Sequence, residues 1–89
     1  MKNKKYNFYS DPGHGWVKVS IKEIVKLNIQ DKISSYSYVR GDSVYLEEDS
    51  DLALFVKALE KVNIFPYWVE HHTDKSSKIR SYNRYIPVV

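Results

Sequence analysis

The chain has no cysteine, which removes a disulfide framework, a thiol nucleophile and every cysteine-ligated zinc or iron–sulfur site. Glycine and proline are scarce, at three each among 89 residues, and no stretch of them forms a flexible linker or low-complexity segment. No apolar run approaches the roughly 18 residues of a membrane-spanning helix. The start, Met1-Lys-Asn-Lys-Lys, lacks the apolar stretch of a secretory signal, so a cytoplasmic protein without a membrane partner is expected. What is present argues for a folded domain. Apolar residues make up 43% and aromatics 15%, with eight Tyr, three Phe and two Trp, well outside the composition of disordered chains. A chain of this length exposes roughly 5,400 Å² when folded against about 15,000 Å² unfolded, enough burial for one thin core. A single domain spanning 1–89 is expected.

Charge of one sign does not dominate. The net charge is +3, yet residues 1–30 carry six basic and two acidic groups, 31–60 three and seven, and 61–89 five and two. Basic ends around an acidic middle fit either an ordinary solvated surface or a face that meets a polyanion.

Two helices are legible. Ser20-Ile-Lys-Glu23 has the form of a capping box, and Ile21, Ile24, Val25 and Leu27 give the following turns an apolar side. Asn28, tolerant of the left-handed conformation, should end that helix, with Ile29 making the hydrophobic contact beyond it. The second helix follows Glu47-Glu48-Asp49-Ser50-Asp51, with Asp49 or Ser50 as its cap and Leu52, Phe55, Val56, Leu59 and Val62 as its stripe. It ends at Val62-Asn63-Ile64, echoing Leu27-Asn28-Ile29. The echo suggests a β–α half used twice, but no further residue-level repeat supports it, and it is assigned to coincidence.

The remainder reads as strand: Lys5–Ser10, Trp16–Val19, a hairpin of Tyr36–Arg40 and Ser43–Glu47 around Gly41-Asp42, Ile64–Glu70, and a last short strand within Ile79–Val89. Pro66 marks Ile64–Glu70 as an edge or a bulge. The predicted order is β-β-α-β-β-α-β-(β). This is an α+β domain with two helices on one face of a mainly antiparallel sheet.

Three segments could carry chemistry. In Asp11-Pro-Gly-His-Gly15, Gly13 and Gly15 flank His14, so the loop could present an imidazole and free amides to an anion, or simply turn between strands. It is no P-loop, since no Gly-Lys-Ser/Thr follows. In His71-His72-Thr73-Asp74 the adjacent histidines point to opposite faces, so one of them, taken as His72, could meet His14. Together those two could act as acid and base on a phosphodiester. A divalent ion on His71 or His72 with Asp74 and Glu70 matches no metal spacing, and the acidic run 47–51, although able to chelate, is explained by the helix start. No metal or other cofactor is expected. The tail Lys75–Tyr85 alternates cations, serines and tyrosines: Lys78, Arg80 and Arg84 could hold phosphates while Tyr82 stacks on a base. On the hairpin, Tyr36, Tyr38 and Tyr45 could form an exposed aromatic strip for a protein partner, or half-buried packing.

The segments Tyr9-Ser-Asp-Pro-Gly-His-Gly-Trp16, Asp31–Tyr38, Arg40-Gly-Asp-Ser-Val-Tyr-Leu-Glu-Glu-Asp49 and His72–Tyr82 together resemble a group of small uncharacterised proteins of bacteriophages, prophages and plasmids, over nearly the whole chain. The resemblance carries no catalytic residues. It implies a mobile-element accessory protein acting in the host cytoplasm, which inhibits a defence complex or sequesters a nucleic acid or nucleotide. The leading expectation is therefore a non-enzymatic protein that binds a phosphate-bearing ligand or a nucleic-acid-handling host complex. Its ligand residues would be Gly13, His14, Gly15, His72, Lys78, Arg80, Tyr82 and Arg84. A protein-only inhibitor using Tyr36, Tyr38 and Tyr45, and a small nuclease or phosphodiesterase using His14 and His72, are the alternatives. A homodimer would cover sheet edges in any of the three.

Overall fold

The structure is a computed structural model that describes residues 2–87. Its elements follow the expected order: β1 (Lys2–Ser10), β2 (Gly15–Ser20), α1 (Ile21–Lys26), β3 (Tyr38–Arg40), β4 (Ser43–Glu47), α2 (Leu52–Lys61), β5 (Ile64–His72) and β6 (Asn83–Arg84). They form one six-stranded sheet in the order β5-β1-β2-β4-β3-β6. Every pairing is antiparallel except β1 with β5, which run parallel. No helix among the described residues is long and apolar enough to cross a membrane.

Local chemistry explains most boundaries. Ser20 caps α1 by accepting the Glu23 amide at 3.2 Å. The reciprocal half of the capping box is absent, because the Glu23 carboxylate turns instead to the Tyr6 hydroxyl and to Lys4, 3.1 Å away. Both helices stop at an asparagine in the left-handed region, Asn28 at φ 59° and Asn63 at φ 58°. In the hairpin, Arg40 pairs with Ser43 across a two-residue loop. Gly41 takes φ 58° there, a conformation that any side chain would strain.

The echo between the two stops has a structural counterpart. A hairpin followed by a helix occurs twice, and the two second strands, β2 and β4, lie side by side and antiparallel at the centre of the sheet. Assigning the echo to coincidence missed this arrangement, since the shared feature is topology and not residue identity.

Alternation along the strands separates two cores. One sheet face carries Tyr6, Val17, Val19, Val44 and Leu46 against Ile24 of α1 and Phe55 and Leu59 of α2, all buried. Both helices lie on that face. On the other face Trp16, Tyr38 and Tyr45 pack around Ile79, which is only 3% exposed. Ile79 comes from a segment that leaves β5 at one edge of the sheet and reaches β6 at the other, and it must cross the helix-free face to do so. Residues 73–82 therefore form a strap.

Three local expectations change for long-range reasons. Residues 79–87 do not extend as one strand: Lys78–Ser81 is a 3₁₀ turn, and only Asn83–Arg84 pairs with β3. Val88 and Val89, at the end of the expected strand, lie outside the described residues. The cap of α2 is Asp51, not Asp49 or Ser50. Its buried carboxylate faces away from the helix and accepts from the Ser34 amide at 3.1 Å, the Ser34 hydroxyl at 2.8 Å and the Ser37 hydroxyl. Tyr36 precedes β3 and lies in a turn, so only Tyr38 belongs to the strand.

Candidate functional site

The candidate ligand residues gather around the strap, but most of them are divided between two separate recesses. Asp11 lies at the centre of the arrangement. Only 5% exposed, it accepts the amides of Gly13 (2.9 Å), His14 (3.0 Å) and Ser77 (2.9 Å), and both Nε and Nη2 of Arg80, at 2.7 and 2.9 Å. The paired guanidinium, with these amides, holds the Asp11 carboxyl far below the usual carboxylate range against the opposing effect of burial. Arg80 also lies over the Trp16 ring, 5.4 Å from its centroid.

Arg80 is therefore a clasp between the first turn and the strap. The expectation that it is free to grip phosphate does not hold, because its fork is already occupied by a carboxylate. Gly13 lies against this clasp, whereas Gly15 lies against Phe8 and Glu48. Neither has a positive φ; a Cβ on Gly13 would come within 2.9 Å of Arg80 Nη2, and one on Gly15 within 2.5 Å of the Phe8 ring.

On one side of the strap, His14, Trp16, Tyr36, Tyr38, Glu47 and Arg84 line a recess of about 250 Å³, with Arg80 on its wall. Arg84 donates to the Ser35 carbonyl at 3.1 Å and lies 4.8 Å from the centre of the Tyr38 ring. On the other side, His71, His72, Lys75 and Lys78 with Tyr9 and Ser10 line a recess of about 370 Å³. His72 bonds Ser10 at 2.9 Å and lies 3.3 Å from the exposed Asp74. The adjacent histidines do diverge, and His71 stacks on Tyr9 with ring centroids 4.9 Å apart. His14 faces Glu47 at 3.5 Å and not His72, so the structure does not bring the two into one acid–base pair. Of the hairpin tyrosines, Tyr38 and Tyr45 are each only 8% exposed and belong to the second core. Only Tyr36 remains at the surface, so the three form no exposed strip.

Beyond the strap, the helix-free face carries residues that spacing did not single out. A row of rings runs across the strands: His71 on Tyr9, Tyr9 near Tyr45 at 6.3 Å, and Tyr45 against Tyr82 at 5.2 Å. Arg40 closes the row, 4.9 Å from the centre of Tyr82. Tyr9 and Tyr82 are half-buried, and His71 and Arg40 are exposed. Strand alternation adds exposed Lys5 and Lys18 to this face, Lys18 lying in register with Tyr45. Among the described residues, no carboxylate lies within ion-pair distance of Lys5, Lys18 or Arg40. Among the described residues, the only acid at a strand position of that face is Glu47, buried at its end. The available signal was period-two alternation once strand order is known; in the sequence these cations are scattered singly over three segments.

Burial raises the Tyr45 hydroxyl's pKa, with Tyr82 and Tyr9 adding to the effect, so this ring stays neutral at physiological pH. Glu48, beside the His14 loop, is also raised, first by burial and then by Asp49 and Glu47. A second basic recess, of about 480 Å³, lies on the helix side between Lys2, Lys4, Lys22 and Lys26 over Leu27 and Val62. There Glu23 already pairs with Lys4.

Compared with known proteins, the chain matches no family model, no curated protein and no solved structure.

Proposed function

We propose that the protein is a non-enzymatic binding module for single-stranded nucleic acid, with the helix-free sheet face as its platform. The observation that carries this reading is the exposed His71 with the half-buried Tyr9 and Tyr82, seated around the buried Tyr45 and flanked by Lys5, Lys18 and Arg40, with no exposed carboxylate among the described strand residues of that face. Bases of any identity stack on aromatic rings, and unpaired lysines and arginines track the phosphates. Lys75 and Lys78 continue the positive surface at one end of the row. A strand suits the surface better than a mononucleotide, because the cations are spread across several β-strands instead of converging on one recess. Sequestration of a strand, or occupation of a nucleic-acid-handling host complex, is the role this gives an accessory protein of a mobile element.

The test is fluorescence anisotropy with a labelled 15-nucleotide oligothymidylate. Three phosphate contacts give a salt slope of about −2, so raising salt from 50 to 200 mM should weaken binding about twentyfold. Lys18→Glu with Arg40→Glu should abolish most of the affinity, while Lys22→Glu with Lys26→Glu, on the helix side, should leave it within a factor of three or so. Absence of binding at 50 mM salt, or equal losses in both double variants, would refute the proposal.

A further inference from the structure

One group in the recess beside the strap has no use in the platform. Glu47 is only 7% exposed, and its Oε2 is fully buried without a hydrogen-bond partner among the described residues. An unpaired buried carboxylate oxygen is costly, and native structures rarely leave one so. The other oxygen, Oε1, accepts the Asp49 amide at 3.2 Å, which fixes the carboxylate's orientation. Oε2 is thereby directed to His14, whose Nδ1 lies 3.5 Å away, too long for a good hydrogen bond. The Asp49 carboxylate completes the group: one ligand atom each from His14, Glu47 and Asp49 lie within 4.8 Å of one another.

The 3.5 Å between His14 Nδ1 and Glu47 Oε2 is already that of two ligands on a shared ion, and the exposed Asp49 carboxylate has only a short way to close on it. With bonds of about 2.0–2.1 Å, tetrahedral ligands stand about 3.4 Å apart. The backbone already supports such a geometry. His14 is held by its amide and carbonyl bonds to Asp11, at 3.0 and 2.9 Å, and β2 is tied to the end of β4 by the Glu48 amide on the Gly15 carbonyl at 2.9 Å. We propose that His14, Glu47 and Asp49 bind one divalent transition-metal ion, Zn²⁺ in particular, with a coordination position left open to solvent. The imidazole selects against Mg²⁺ and Ca²⁺, which prefer all-oxygen sites. Two carboxylates neutralise the ion, and the exposed side of His14 and Asp49 gives it an entry path. The local sequence hid the site because its ligands come from the β1–β2 turn and the end of β4, 33 positions apart between His14 and Glu47.

Isothermal titration of the tag-free protein with ZnCl₂ at pH 7 tests the proposal. One ion per chain with micromolar or tighter affinity is expected. His14→Ala and Asp49→Asn, both at exposed positions, should each weaken binding at least tenfold, and so should the near-isosteric Glu47→Gln if it folds by circular dichroism. His71→Ala with His72→Ala should leave the site intact. A second readout uses Co²⁺, which should quench Trp16 emission in a Trp68→Phe background, because the His14 and Trp16 rings lie 6.1 Å apart. No binding at 100 µM Zn²⁺, affinity unchanged by His14→Ala, or affinity lost with the His71/His72 pair would each overturn the assignment.

Discussion

Replacing Ile79 by alanine tests whether the strap is a structural layer or a loose tail. The side chain is 3% exposed and packed among Trp16, Tyr38 and Tyr45. The truncation removes three carbons, worth about 0.8 kcal/mol each in transfer free energy, and adds a cavity cost. Isoleucine-to-alanine changes in cores cost about 2–5 kcal/mol. Here the strap can settle toward the sheet and recover part of the void, which favours the lower half, about 2–3 kcal/mol. For a domain of this size 1 kcal/mol shifts Tm by roughly 4–8 °C, so a fall of about 10–20 °C is expected. Thermal and urea denaturation followed by circular dichroism measure it, and a red shift in Trp16 emission would report exposure of the second core. A fall of less than about 4 °C would mean that the strap does not close this face. The clasp offers a further check: combined with Asp11→Asn, which loosens the same segment, Ile79→Ala should cost less than the two single changes added, because either one releases the strap.

Other expectations follow from the buried carboxylates. Asp51→Asn should destabilise by about 1–3 kcal/mol, read as a lower urea midpoint, because Asp51 accepts three hydrogen bonds from Ser34 and Ser37 and an amide cannot satisfy them all. An unchanged midpoint would refute that role. Asp11 has its folded pKa lowered, so its contribution is present above the ordinary carboxylate pKa of about 4 and is lost progressively as pH falls toward the folded value. Wild-type Tm should therefore drop between pH 5 and pH 2, and Asp11→Asn should flatten that slope; a parallel slope in the variant would exclude Asp11 as its source.

What was legible in the sequence was what depends on neighbours. Gly41-Asp42 between two β-rich runs, the asparagine stops at Asn28 and Asn63, and the Ser20 cap all depend on residues a few positions away, and each lies where the spacing put it. Element order, and with it the α+β class, followed from those signals. Long-range chemistry misled the site reading. Arg80 looked like a phosphate ligand because its neighbours are polar and basic, while its carboxylate partner stands 69 positions away. Asp51 looked like part of an acidic helix start, yet it serves the loop before β3. For Tyr38 and Tyr45 the sequence left an exposed strip and packing both open, because nothing local says that the strap covers them. Lys5, Lys18 and Arg40 share a face only once β1, β2, β4 and β3 are in order.

The strap also sets the timing of assembly. The Asp11–Arg80 clasp joins residues 69 apart, and the parallel β1–β5 pairing joins residues 62 apart, as between Lys2 and Ile64. Such contacts close large loops and are formed late, so this small domain should fold on the millisecond-to-second scale of non-local β topologies. During synthesis much of the helix-side core can condense while the other face is still bare, because Ile79 and Arg80 emerge after β1–β5 and both helices. Until they arrive, Trp16, Tyr38 and Tyr45 lack their cover. The clasp therefore acts mainly as a brake on unfolding, and loosening it should speed escape from the native state far more than it slows entry.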